Sequence, residues 1–235
     1  MNLVIMVSKN LKQSASQNRL KHSLTYIIFL LFSSLACHAQ VKEENGEYVV
    51  FDLPAYENMR NRAISAVHLK ELDKAKLILD SCYKVNNLDT MVIALLHETL
   101  LMKINRQKEP NENLSVINTW EQQYPFLKED KRLQHIKVKE AVEIGIESFQ
   151  NKNWDHTQEL TNFITKTISE SKNFKMLTSI PNTDALFYNL GLQLFYDKNF
   201  QKAEFVLANG ITLFPQDKNM KTMYRLAKER LKHKK

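Results

Sequence analysis

"LGLQLFYDKNF", Leu190–Phe200, has a near-copy upstream in "IGIESFQNKNW", Ile144–Trp154. Both run apolar-Gly-apolar, place Phe four residues after the Gly, and close on Lys-Asn-aromatic. The chain has four glycines, and Gly145 and Gly191 occupy the matched places, 46 residues apart. A glycine inside a helix costs about 1 kcal/mol against alanine, so its recurrence calls for a packing reason. The pairing of segments points to a fold written in repeated helical units.

The surrounding pattern is helical. From Asp184 to Tyr196, Leu186, Phe187, Leu190, Gly191 and Leu194 fall along one broad face. From Gln201 to Leu213, Ala203, Val206, Leu207 and Ile211 continue it. The break between them is "DKN", and Asn199 is expected in the left-handed conformation that ends a helix. Two helices joined by so short a turn form an antiparallel pair. All five prolines, Pro54, Pro110, Pro125, Pro181 and Pro215, lie between periodic segments, as residues that break helix interiors must. The scarcity of glycine and proline argues against a turn-rich β fold.

Residues 184–217 resemble a tetratricopeptide repeat, a helix–turn–helix unit of about 34 residues. With Asp184 first, Phe187 is the aromatic of the fourth position, and Leu190 and Gly191 are the Leu-Gly pair of the seventh and eighth. Phe200 takes the aromatic of the seventeenth, Ala203 the alanine of the twentieth and Pro215 the proline of the thirty-second. Leu194, Leu207 and Gly210 depart from the family's Tyr, aromatic and Ala. A looser copy places Ala141, Ile144, Gly145 and Trp154 in register, with Thr157 for the alanine and a long first helix from about Leu127 to Gln150. Residues 56–89 fit a third unit through Met59, Ala63, Leu72, Ala75, Leu79 and Cys82, with Arg62 in place of the Leu. Residues 90–125 keep only Trp120 and Pro125. The resemblance therefore implies an all-α, right-handed solenoid of about four antiparallel helix pairs over residues 55–235, closed by "MKTMYRLAKERLK" as a capping helix. It implies that small residues at Gly191 and Ala203 let the two helices of a pair cross closely.

The N-terminus has the form of an export signal. Lys9, Lys12, Arg19 and Lys21 are basic, no acid precedes Glu43, and "LTYIIFLLFSSLA", Leu24–Ala36, is apolar. That run is short for a membrane span, which needs about 20 residues. Cleavage after Ala39 is expected, giving a signal peptide at 1–39 and an extended segment at 40–54 that includes the β-like "EYVVFDL". "SLAC", Ser34–Cys37, also resembles a lipobox, which makes Cys37 a candidate for lipidation. Either route takes the chain to the periplasm or envelope of a bacterium, as a soluble protein or an outer-membrane lipoprotein. Loss of the four basic residues lowers the formal net charge from +7 to +3, so the basic composition says little about nucleic acid. The remaining excess lies in the last helix, whose polar outer face suits a cap and whose charge suits an acidic partner or anionic lipid. Cys82 then stands alone on an apolar helical face, as a buried core residue.

No phosphate loop, HExxH, GxSxG or CxxC occurs, and His68, His97, His135, His156 and His233 are scattered without ligand spacing. No enzyme activity, cofactor or metal is expected. By the resemblance, the first helices of the pairs line a groove, which places Arg60, Ile64, Lys139, Tyr188, Leu192, Phe195 and Tyr196 on a surface for a peptide or partner protein. Contacts of Phe195 and Phe149 with the next unit are an alternative use of those rings. The expected role is an exported, non-catalytic interaction scaffold. The alternatives are a lipid-anchored structural subunit of an envelope assembly and a hydrolase acting on envelope polymers.

Overall fold

The computed structural model describes the backbone of residues 39–44 and 47–233, and side chains from Asp52 onward. The presequence and Cys37 lie outside the described residues. Strands β1 (Ala39–Glu44) and β2 (Glu47–Asp52) pair antiparallel, with Val41 opposite Val50. From Leu53 to Lys232 all regular structure is helical. The helices are α1 (Leu53–His68), α2 (Leu72–Val85), α3 (Thr90–Arg106), α4 (Pro110–Gln123), α5 (Lys131–Gln150), α6 (Trp154–Ser171), α7 (Thr183–Tyr196), α8 (Phe200–Leu213) and α9 (Lys218–Lys232). Short 3-10 turns η1 (Pro125–Glu129) and η2 (Phe174–Ser179) precede α5 and α7. The chain divides into two compact units between Thr99 and Leu100, inside α3.

In the first unit α1 packs on α2, burying Ala63, Ala66 and Val67 of α1 and Leu72, Ala75, Leu79 and Cys82 of α2. In the second, α5 packs on α6 and α7 on α8. First helices also meet first helices (α5 with α7), second meet second (α6 with α8), and α9 rests on both α7 and α8. One apolar core runs through these five helices, from Val138 and Ile144 through Ile164, Phe187, Leu190 and Leu207 to Met220 and Ala227. An apolar stripe of α9 faces this core: Met220 is buried, and Met223 and Tyr224 pack against it.

Three turns are built alike, and they correct the expectation for Asn199. The left-handed residue is the preceding lysine: Lys70, Lys152 and Lys198 have φ of 58°, 59° and 61°. Around each, the same pair of hydrogen bonds closes the helix. Lys198 N–H donates to Phe195 O at 3.0 Å and Asn199 N–H to Leu194 O at 2.9 Å. Lys152 and Asn153 donate likewise to Phe149 and Ser148, and Lys70 and Glu71 to Val67 and Ala66. This is the Schellman arrangement, with lysine where glycine is usual. Asn199 and Asn153, at φ −87° and −88°, are instead the N-caps of the following helices. Their side-chain oxygens accept from Lys202 N–H at 3.4 Å and His156 N–H at 3.3 Å. One residue thus ends one helix and begins the next, which fixes the short antiparallel turn. A left-handed lysine costs roughly 1–2 kcal/mol, offset in glycine by its greater freedom when unfolded. Lys198→Gly should therefore stabilise the protein by about 0.5–1 kcal/mol, read as a higher denaturant midpoint. An unchanged or lower midpoint would show that the turn is not strained.

The long helix expected from about Leu127 starts later. Pro125–Glu129 forms η1, and Asp130 caps α5 by accepting from the N–H groups of Arg132 and Leu133 at 2.8 and 3.0 Å. Such a cap contributes about 1 kcal/mol.

The glycines need a second correction. A Cβ on Gly191 would lie 2.5 Å from Leu207 Cγ, so it is Leu207 of α8, rather than Ala203, that occupies the space above the glycine. A Cβ on Gly145 would meet Leu186 Cδ2 of α7, the next pair, at 2.8 Å. The matched glycines admit different neighbours, one within a pair and one between pairs. The far end of Leu186 can rotate away, while the branch point of Leu207 cannot do so without moving its whole side chain. Gly145→Ala is expected near neutral, since alanine's helix preference offsets the contact. Gly191→Ala is expected to cost about 1–2 kcal/mol by overpacking. Equal denaturation midpoints for the two variants would contradict this packing.

Candidate binding site

The groove residues divide between the two units. In the first, Ile64 is half-buried on α1. Arg60 is held in a polar cluster around Asp89, the residue before α3 (Thr90–Arg106). Tyr56 Oη donates to Asp89 Oδ2 at 2.7 Å, and Arg60 NH1 donates to the same oxygen at 3.0 Å. The other oxygen, Oδ1, accepts from the N–H groups of Met91 and Val92 at 2.8 and 3.3 Å, capping α3. The Arg60 guanidinium also sits 5.9 Å from the Tyr56 ring centroid. Burial works against the Asp89 carboxylate, but the hydrogen bonds from Tyr56, Arg60, Val92 and Met91 outweigh it and hold its pKa below the usual carboxylate range. Burial, then the hydrogen bond to Asp89 and its charge, push the Tyr56 phenol well up. Burial, followed by the charge of Asp89, raises the Cys82 thiol to about 11, so this fully buried cysteine stays a thiol at neutral pH. The cluster is a latch tying α1 to the start of α3, and it engages Arg60 internally.

The second unit carries the other five. Tyr188, Leu192 and Tyr196 follow one another at a spacing of four along α7. Tyr188 and Leu192 are half-buried, and Tyr188 packs on the core. Tyr196 is 69% exposed. Lys139 is exposed on α5 and pairs with Glu143 at 3.4 Å one turn on. Phe195 turns to its own pair: its ring lies 5.2 Å from Phe200 across the turn and 6.4 Å from Tyr196. Phe149 and Trp154 repeat this clasp at 5.1 Å in the upstream copy. The repeated Phe and the closing aromatic of the two quoted stretches are therefore partners that seal the turn. Each pair contributes roughly 0.5–1.5 kcal/mol beyond its buried area.

Phe195, Tyr196 and Phe200 also wall an open cavity of about 480 Å³, together with Lys198, Arg230 and His233. The turn between α7 and α8 supplies Lys198, the last turn of α9 supplies Arg230, and His233 is the residue that caps α9. Lys198, Arg230 and His233 have no carboxylate partner within 4.0 Å among the described residues. The neighbouring carboxylates on both elements are engaged elsewhere: Asp197 accepts from Gln193 Nε2 at 2.9 Å, and Glu229 lies 4.0 Å from Arg225. Such a cavity can bind an anion beside an apolar or aromatic group. The sequence pattern did not single out Lys198, Arg230 or His233 as site residues; the basic excess of the last helix was the signal. A more apolar cavity of about 550 Å³ lies at the other end of the same pair, among Ile180, Pro181, Leu213, Phe214 and Pro215.

A buried polar seam joins α4 to α5. Lys137 Nζ donates to Glu121 Oε2 at 2.7 Å and lies 5.6 Å from the Phe163 ring centroid, while Asn113 Nδ2 donates to Glu140 Oε1 at 3.3 Å. Burial raises the Glu140 pKa against the opposing hydrogen bond from Asn113. These side chains sit between packed helices, where they fix helix register more than they add stability.

Among the described residues no helix is long and apolar enough to cross a membrane, and no group of three or more His, Cys, Asp or Glu is placed to hold a metal ion. In comparison with known proteins, the chain matches no family model and no curated protein.

Proposed function

We propose that this chain is an exported, non-catalytic, tetratricopeptide-like interaction protein of a bacterial envelope, which binds a partner protein through the α7 stripe and the turn beside it. The observation that carries the reading is the identical construction of two successive pairs. α5–α6 and α7–α8 share the left-handed lysine turn, the asparagine N-cap and the aromatic clasp. Like helices of the two pairs pack on each other. Stacking of alike units generates a right-handed solenoid with one lined face, and such faces serve as extended binding surfaces. Tyr196, left largely exposed beside the charged side chains of Lys198 and Arg230, has the amphipathic character of an interface anchor. Entry to the envelope rests on the basic-then-apolar presequence.

Chemical crosslinking in intact cells of the source bacterium tests this. A discrete adduct with one other envelope protein is expected. Recovery of the chain only as an uncrosslinked cytoplasmic protein would overturn both location and role.

A further inference from the structure

We infer that the cavity between the α7–α8 turn and the end of α9 holds an acidic segment of the partner protein, one that carries an aromatic or large apolar side chain flanked by carboxylates. This rests on the binding-module reading and names the chemistry of its ligand. Two observations select that occupant. The cationic side chains of Lys198 and Arg230, together with the His233 imidazole, line one open cavity, where Asp197 accepts from the Gln193 amide and Glu229 pairs loosely with Arg225. Like charges gathered at one rim repel one another, and a carboxylate held between Lys198 and Arg230 relieves that repulsion. The remaining wall is the Phe195–Phe200 pair with Tyr196, whose ring is mostly exposed. An aromatic or leucine side chain covers those rings while its flanking acids reach the cations.

Arg230 supplies a planar fork that can grip a carboxylate with two parallel hydrogen bonds, and Lys198 a point charge on a flexible stem. The site accordingly prefers a peptide to a flat anionic membrane surface, because the rings between the cations need a projecting side chain to fill the cavity.

The test is fluorescence anisotropy with a labelled short peptide of Asp and Glu around a single Phe. The protein is purified from the envelope, and the titration is repeated with a Lys-for-Glu peptide and with phosphatidylglycerol vesicles. The acidic peptide should bind, the basic one should not, and added salt should weaken binding. Lys198→Gly with Arg230→Gln should lower affinity by about tenfold or more without lowering the unfolding midpoint, since both positions are exposed. Tyr196→Ala should lower affinity at unchanged charge. Parental affinity in the double variant overturns the proposal, as does binding of vesicles but not peptide. Repeating the cellular crosslink with the double variant separates the two readings. A partner retained at full yield rejects the acidic pocket alone, whereas absence of any partner in the parent protein rejects the binding module.

Discussion

Phe187→Ala is expected to destabilise the second unit by about 3–5 kcal/mol, the range for emptying a fully buried aromatic site. Phe187 is completely enclosed, and its neighbours cannot easily close the gap. On one side the backbone of α8 approaches at Gly210, where an added Cβ would lie only 3.0 Å from Phe187 Cβ. Met220 of α9 lies over the same glycine, so the ring stands where α7, α8 and α9 meet. The melting temperature should fall by on the order of 10 °C. Tyr196→Ala, nine residues on along the same helix, should change stability by less than about 0.5 kcal/mol because that ring is mostly exposed. The contrast is what matters: one aromatic of α7 holds the helices together and the other is free for contact. Comparable losses for both would mean that α7 is oriented differently.

Asp89→Ala carries the second large effect. It removes the cap of α3 and leaves the Tyr56 hydroxyl and the Arg60 guanidinium without the acceptor they share. A lost cap costs about 1 kcal/mol and the loss of hydrogen bonds to a charged acceptor about 1.5–3, so a loss of roughly 2–4 kcal/mol is expected. The pH dependence follows from the two displaced pKa values. The Asp89 carboxyl is held below its unfolded value near 4, so its stabilisation is present above about pH 4 and is lost as pH falls through the lower folded value. The Tyr56 phenol is raised above its unfolded value near 10, so its contribution is present below about pH 10 and is lost as pH rises beyond it. The difference in stability between the wild type and Asp89→Ala should be largest near neutrality, vanish towards acid pH, and shrink without vanishing at alkaline pH, where the α3 cap and the Arg60 hydrogen bond persist. A constant difference across the range would remove the charged hydrogen bonds from the account.

The helical character of the chain was legible because its signals are local. Apolar spacing and proline positions place α7 and α8 to within a residue or so of their observed ends. The turn chemistry was harder to read. Asparagine is the better left-handed residue by intrinsic preference, yet Lys198 and Lys152 take that place so that Asn199 and Asn153 can cap the following helix. Two local preferences compete for one residue, and the cap wins. The glycines show a second limit. Their recurrence announces close packing, but which neighbour approaches depends on tertiary placement, and Leu207 and Leu186 differ in that respect. The pairing of β2 with β1 had a missed signal: the two residues between the strands are Asn45 and Gly46, the pair favoured in two-residue hairpin loops. For the site, the aromatic residues were legible from their register. The cations were not, because Lys198 lies more than thirty residues from Arg230 and His233, and only the fold brings them to one cavity.

Position-resolved photocrosslinking in the native envelope tests the central claim most directly. A photoreactive residue is placed at Tyr196, beside the cation-lined cavity, and in parallel at Thr212, exposed on α8 (Phe200–Leu213). A single partner protein crosslinked from position 196 and absent from position 212 is the predicted result. Equal crosslinking from both positions, or none from 196 with the protein folded and present in the envelope, would contradict the assignment of a protein-binding surface to α7 and its turn.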